Sequence, residues 1–78
     1  MQRTETAKKL QAIFDVVFFE DVVVSDELSA KDVDEWDSIT HINIILAVEQ
    51  EFKIRFSLGE VEKVNNVGEF IDLVRSHL

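Results

Sequence analysis

The sequence predicts an all-α fold: a small four-helix bundle of three longer helices and one short one, with a long loop between the first and second. Three observations point there. Four segments carry apolar residues at helical spacing, no segment alternates with period two over a useful length, and polar-x-x-Glu boxes stand where two of the helices should open. The 78 residues hold no proline, no low-complexity tract and no internal repeat, so one domain over residues 1–78 is expected.

The first helix is expected from about Thr4, a good N-cap residue, to Phe19. Leu10, Ile13, Phe14, Val17 and Phe18 form an i, i+3, i+4, i+7, i+8 stripe, and Lys8, Lys9, Gln11 and Asp15 lie off it. Residues 20–37 break the pattern. Val22, Val23 and Val24 suggest a strand, but a single strand has nothing to pair with, so an ordered loop pinned by the valines and Leu28 is expected. The second helix should open at Asp37 or Ser38 and end near Phe52, with Ile42, Ile45, Leu46, Val48 and Phe52 facing the core. Ser57 and Glu60 read as a capping box for a short helix from about Leu58 to Lys63. Asn66 and Glu69 repeat the device for a last helix from about Val67 to Ser76, with Val67, Phe70, Ile71 and Val74 turned inward. Gly68, in that helix's first turn, reads as tolerated at modest cost.

Composition excludes several function classes. The absence of cysteine removes disulfides, thiolate metal sites and cysteine nucleophiles, and it favours a cytoplasmic location. No apolar run approaches the roughly 20 residues of a membrane span, so neither membrane insertion nor export is expected. A net charge of −8 argues against nucleic acid as a partner, because counterion release needs a cationic surface. The charge is uneven. Residues 15–37 hold nine acids (Asp15, Glu20, Asp21, Asp26, Glu27, Asp32, Asp34, Glu35 and Asp37) against Lys31 alone, and this segment is either a solvated loop or a docking surface for basic partners.

The stretch most informative about chemistry is Asp37-Ser38-Ile39, which places a hydroxyl at a helix N-terminus. Unpaired N–H groups and the helix dipole favour an anion there, so a phosphodiester built on Ser38 would sit in a favourable field. Asp and Ser are also ordinary N-caps, and the dipeptide alone does not choose between the roles. The wider pattern adds to it: Asp37-Ser38-Ile39 is followed by Ile44-Ile45-Leu46-Ala47-Val48-Glu49-Gln50-Glu51-Phe52-Lys53-Ile54, then Glu60-Val61-Glu62-Lys63-Val64, Val67 and Phe70. This resembles the acyl carrier protein family, closely from Asp34 to Val74, and the first helix agrees in length and amphipathicity.

The resemblance implies a helical bundle of acyl-carrier type that is not an enzyme. Ser38 would receive 4′-phosphopantetheine from coenzyme A through a separate Mg²⁺-dependent phosphopantetheinyl transferase (the carrier's synthase), and the arm's thiol would carry acyl intermediates as thioesters between acyl-loading and acyl-processing enzymes. Asp37 matches the acid that positions the serine for that synthase. Glu35, Trp36 and Ile39 are the partner-recognition candidates, with Trp36 open between that role and a buried anchor for the loop. Leu46, Phe56, Val61, Val64 and Phe70 match an acyl-pocket lining, and the bulk of Phe56, Val61 and Phe70 suggests a small cavity. A monomer is expected.

The chain departs from the family pattern in several places. Ile39 replaces leucine, Thr40, His41 and Asn43 leave the exposed face of the second helix nearly neutral, and Lys53 stands where glycine commonly follows the helix-ending Phe. Two rival chemistries fail on the residues. His41 lies one turn beyond Ser38, but no third group orients it and no oxyanion site is evident. Counting an EF-hand from Asp32 puts Asp37 where glycine is needed and Asn43 where a bidentate Glu belongs, and no metal site is expected. The remaining alternatives are an unmodified acidic docking module of the same fold, and an aminoacyl or peptidyl carrier.

Overall fold

The computed structural model describes residues 2–57 and 59–78. Three α-helices, α1 (Arg3–Val17), α2 (Ser38–Phe52) and α3 (Val67–Ser76), are joined by segments that contain two single 3₁₀ turns, Ala30–Asp32 and Val61–Lys63. Helix α1 packs against both α2 and α3. The shared core is built from Leu10 and Phe14 of α1, Ile44, Val48 and Phe52 of α2, and Val67, Phe70, Ile71 and Val74 of α3. Leu28 and Leu73 pack at its edge.

Helix α1 begins one residue before the expected cap, and Thr4 lies inside it on the exposed side. A tertiary clamp stands where a side-chain cap was expected. Arg3 donates from Nε to Asp72 at 2.9 Å, from one terminal nitrogen to Asp26 at 3.2 Å, and from the other to the Gly68 carbonyl at 3.1 Å. These bonds hold its guanidinium pKa above the ordinary value, the Asp72 hydrogen bond being the largest cause. The helix also ends two residues short of Phe19. The Glu35 carboxylate accepts from the Phe19 and Glu20 N–H groups at 3.0 and 3.1 Å and holds that turn out of the helix. Phe18, the C-cap, stays buried while Phe19 is fully exposed.

The long loop is ordered by side chains acting as backbone. Val22 to Val24 forms no regular element, with Val22 buried and Val23 exposed, and Gln11 bonds its backbone as a neighbouring strand would. Its amide donates to the Val22 carbonyl at 2.7 Å and accepts from the Val24 N–H at 2.8 Å. Farther on, the Asp26 and Leu28 carbonyls accept from the Gly68 and Val67 N–H groups at 3.0 and 2.7 Å, pairing donors that α3 cannot satisfy internally. A Cβ on Gly68 would stand 3.0 Å from Asp26 Cβ and 3.1 Å from its Cα and carbonyl oxygen. Glycine is therefore needed for this close approach, not merely tolerated. The first 3₁₀ turn, not expected from the sequence, is held by a Ser29–Asp32 capping box.

On α2 the inward face differs from the expected one. Ile44, Val48 and Phe52 are buried, whereas Ile42 and Leu46 are 56% and 52% exposed. Apolar residues run almost around the helix between Ile39 and Val48, so spacing alone permits either face. Contact with α1 selects the i, i+4, i+8 row through Ile44, about 200° from Ile42 at ~100° per residue.

The expected short helix is a single 3₁₀ turn, and its expected first residue, Leu58, lies outside the described residues. Of its capping box one half forms: the Ser57 N–H donates to Glu60 at 2.6 Å. The last helix matches its expected bounds, with Asn66 accepting from the Glu69 N–H at 2.8 Å. Glu69 in return accepts from the Asn65 N–H at 3.2 Å, one residue earlier than a strict box.

Candidate functional site

Ser38 is the first residue of α2, and its side chain is exposed. Asp37 caps the helix, its carboxylate accepting from the Thr40 N–H at 2.8 Å. Hydrogen bonding from the Thr40 backbone, with a further contribution from the Thr40 side chain, holds the Asp37 carboxyl below its ordinary pKa. The result is a fixed negative charge beside a hydroxyl that, among the described residues, no side chain engages. The groove around it is lined by Ala30, Trp36, Asp37, Ser38, His41 and Ile42.

Trp36 anchors the approach to this site. Its ring meets Phe14 edge-on at 5.4 Å between centroids and Phe18 at 5.8 Å, and its Nε1 donates to His41 Nδ1 at 3.1 Å. The indole is thus half-buried against α1 and tied to the second turn of α2. His41 uses Nδ1 as acceptor for this bond, which ties its ring to the loop before the helix.

The other partner-recognition candidates divide. Ile39 is 72% exposed beside Ser38, and with Ile42 and Leu46 it makes an outward apolar row along α2. Glu35, in contrast, uses both carboxylate oxygens on the end of α1. Much of the acid-rich segment is engaged in the same way: Asp15 accepts from Gln11, Asp26 from Arg3, and Asp32 from Ser29. Glu20, Asp21, Glu27 and Asp34 remain exposed.

Behind the groove lies an apolar cavity of about 80 Å³ between α2, the first 3₁₀ turn and the start of α3, walled by Trp36, His41, Ile44, Ile45, Val64 and Phe70. Of the five pocket candidates, Val64 and Phe70 line it. Phe56 and Val61 line a shallower groove with Ile42, Ile45 and Glu49, although Phe56 stands against Phe70 at 5.8 Å. Leu46 lies on the outer face of α2, turned away by the same rotation that buries Ile44. Sequence reasoning missed Ile44, Ile45 and the Trp36–His41 pair as lining. The i, i+3, i+4 relation of His41, Ile44 and Ile45 could have shown that they share a face.

No protein-family model matches the chain. Among curated proteins it is similar to the acyl carrier protein of Buchnera aphidicola subsp. Acyrthosiphon pisum (strain 5A), 36% identical over 58 residues that make up 74% of this chain. It is also similar to that of Clostridium acetobutylicum, 37% identical over 41 residues and 53% of this chain. The chain spans 65% of the first relative's length and 53% of the second's. Among solved structures it is similar to the holo acyl carrier protein from Geobacter metallireducens, determined in solution by NMR, with a TM-score of 0.84. Identity to that protein is 44%, over 92% of this chain and 84% of the other, and on this agreement of sequence and fold the chain belongs to the acyl carrier protein family.

Proposed function

We propose that this chain is a carrier whose Ser38 is modified with 4′-phosphopantetheine and which catalyses nothing itself. The observation that carries the reading is the exposed, unengaged Ser38 hydroxyl at the first position of α2, set beside the ionised Asp37 cap and open to a groove. A phosphodiester fits there: the groove is open, and the helix N-terminus favours its charge. In the modification the Ser38 Oγ–phosphorus bond forms as the phosphoanhydride of coenzyme A breaks. Adenosine 3′,5′-bisphosphate leaves, and the hydroxyl proton passes to a base on the transferase.

Once attached, the arm supplies a thiol that holds cargo as a thioester. The chain's own part is to present that arm from a rigid helix end and to raise the cargo's effective concentration at each docked enzyme. Asp37 keeps Ser38 at the start of the helix and gives the transferase a fixed charge to recognise. Trp36 and Glu35 act by positioning, holding the loop before Ser38 against α1, while Ile39 is free to touch a partner. The partners are a phosphopantetheinyl transferase and the biosynthetic enzymes that load and process the acyl group. None of the helices among the described residues is long and apolar enough to cross a membrane.

Intact mass after incubation with coenzyme A, Mg²⁺ and a broad-specificity phosphopantetheinyl transferase tests this. A gain of about 340 Da, the mass of the transferred arm, is expected in the parent chain and not in Ser38→Ala. No gain from folded protein would leave the unmodified docking module as the better reading.

A further inference from the structure

We propose that the bend Phe19-Glu20-Asp21 is a docking knuckle for the transferase that modifies Ser38, with the Phe19 ring entering an apolar socket rimmed by lysine and arginine on that enzyme. The inference rests on the carrier reading and deepens it by naming a second contact, off α2, for this partner.

Phe19 is the most exposed large apolar side chain among the described residues, at 101%. A solitary exposed apolar residue is ordinary on a protein surface, but this one stands on a pinned backbone. The Glu35 carboxylate accepts from the Phe19 and Glu20 N–H groups at 3.0 and 3.1 Å. On the other side Phe18 is buried, its ring 5.3 Å from Phe14 and 5.8 Å from Trp36. The next ring is therefore presented outward from a fixed point. An aromatic anchor held in this way gives up little backbone freedom on binding.

Charge selects the partner. Glu20 and Asp21 follow the ring and are exposed, Asp34 is exposed beside the residue that ties the bend down, and no lysine or arginine occurs from Leu10 to Ala30. A second copy of this chain, with the same acids and a net charge of −8, would be repelled at this surface. A basic rim would be attracted. The transferase needs such a rim for its own substrate, because the pyrophosphate and 3′-phosphate of coenzyme A are held by lysine and arginine about its active-site mouth. Position agrees with charge. Glu35 joins the bend to the loop three residues before Ser38, so the ring and the hydroxyl belong to one fixed surface. Helix α2 carries no acid before Glu49, and charge that steers an enzyme to Ser38 has to come from the segments ahead of the helix.

The test follows transfer from coenzyme A by the source organism's own transferase, read by intact mass over a range of chain and salt concentrations. Phe19→Ser should raise KM about tenfold or more and leave kcat within about twofold, with Tm at the parent value because the exposed ring has no packing to lose. Glu20→Gln with Asp21→Asn should raise KM at low salt, and the difference should close at about 0.5 M salt, where screening acts within a few Å. Val16→Ser is the control: Val16 is also exposed, but it lines a groove with Gln50 and Glu51 at the end of α2 away from Ser38, and its KM should match the parent. The unmodifiable Ser38→Ala chain should inhibit modification of the parent competitively, and adding Phe19→Ser should weaken that inhibition about tenfold, which reads docking without the chemistry. An unchanged KM for Phe19→Ser, an equal rise for Val16→Ser, or a loss in kcat alone overturns the knuckle and leaves the carrier reading standing. Absence of any mass gain in the parent chain overturns both.

Discussion

Replacing Gly68 by alanine sets two physical effects against each other. Helix propensity alone favours the change, because alanine in place of glycine stabilises a helix by about 1 kcal/mol. Tertiary structure opposes it: the new Cβ meets Asp26 Cβ at 3.0 Å and its Cα and carbonyl oxygen at 3.1 Å, and two of these are backbone atoms that no rotamer can move aside. The loop must retreat, yet it is held by the Gly68 N–H to Asp26 carbonyl bond at 3.0 Å, the Val67 N–H to Leu28 carbonyl bond at 2.7 Å, and Arg3 on the Asp26 carboxylate. Overpacking of this kind costs about 1–3 kcal/mol, and weakening two backbone bonds adds roughly 1 kcal/mol. After the propensity gain, a net destabilisation of about 1–3 kcal/mol remains, or roughly 5–25 °C in Tm for a domain of this size. Thermal and urea unfolding followed by circular dichroism measure it. The substitution should cost less in an Arg3→Met background, where the loop is freer to yield. An unchanged or raised Tm for Gly68→Ala in the parent chain would refute the reasoning, because propensity would then have outweighed the contact.

Three further outcomes follow from other sites. Lys53 closes α2 in the left-handed conformation (φ 57°, ψ 45°), with the Ile54 N–H donating to the Glu49 carbonyl at 3.1 Å. Lys53→Gly should therefore stabilise by about 0.5–1 kcal/mol, relief of left-handed strain outweighing glycine's extra freedom in the unfolded chain; urea melts decide the sign. Gln11→Ala removes the side chain that stands in for a strand, and it should cost about 1–3 kcal/mol and accelerate amide exchange at Val24 in particular. The Asp37 carboxyl titrates below its ordinary value of 3.8 in the folded state, so its contribution is complete above that pH and is lost as pH falls through the depressed value. Asp37→Asn keeps a capping oxygen but does not titrate, and it should flatten the acid side of the stability–pH curve; an unchanged acid limb would remove Asp37 from the account.

The order of the three longer helices and the position of Ser38 were legible in the sequence because each has a local cause. Asp37 and Asn66 cap the helices they were expected to cap, and the Leu10, Ile13, Phe14 and Phe18 stripe is buried as its spacing required. The family resemblance and the comparisons point to the same family. Less was legible where one residue's role depends on a distant one. Thr4 has the chemistry of an N-cap, but α1 starts earlier because Arg3 reaches α3 and the loop. Glu35 reads as a surface acid, yet its carboxylate ends α1.

The sequence by itself determined that this is a helical chain with a serine at the head of its second helix, since periodicity, capping chemistry and motif spacing are properties of neighbours along the chain. Only the tertiary structure decided which face of α2 points inward. An apolar run that nearly encircles a helix specifies no single face, and contact with α1 fixed the rotation that buries Ile44 and exposes Leu46. That rotation in turn brought His41 beneath Trp36 and left about 80 Å³ between them and Phe70. A cavity is the space that three separated segments fail to fill, so its size depends on how they pack together.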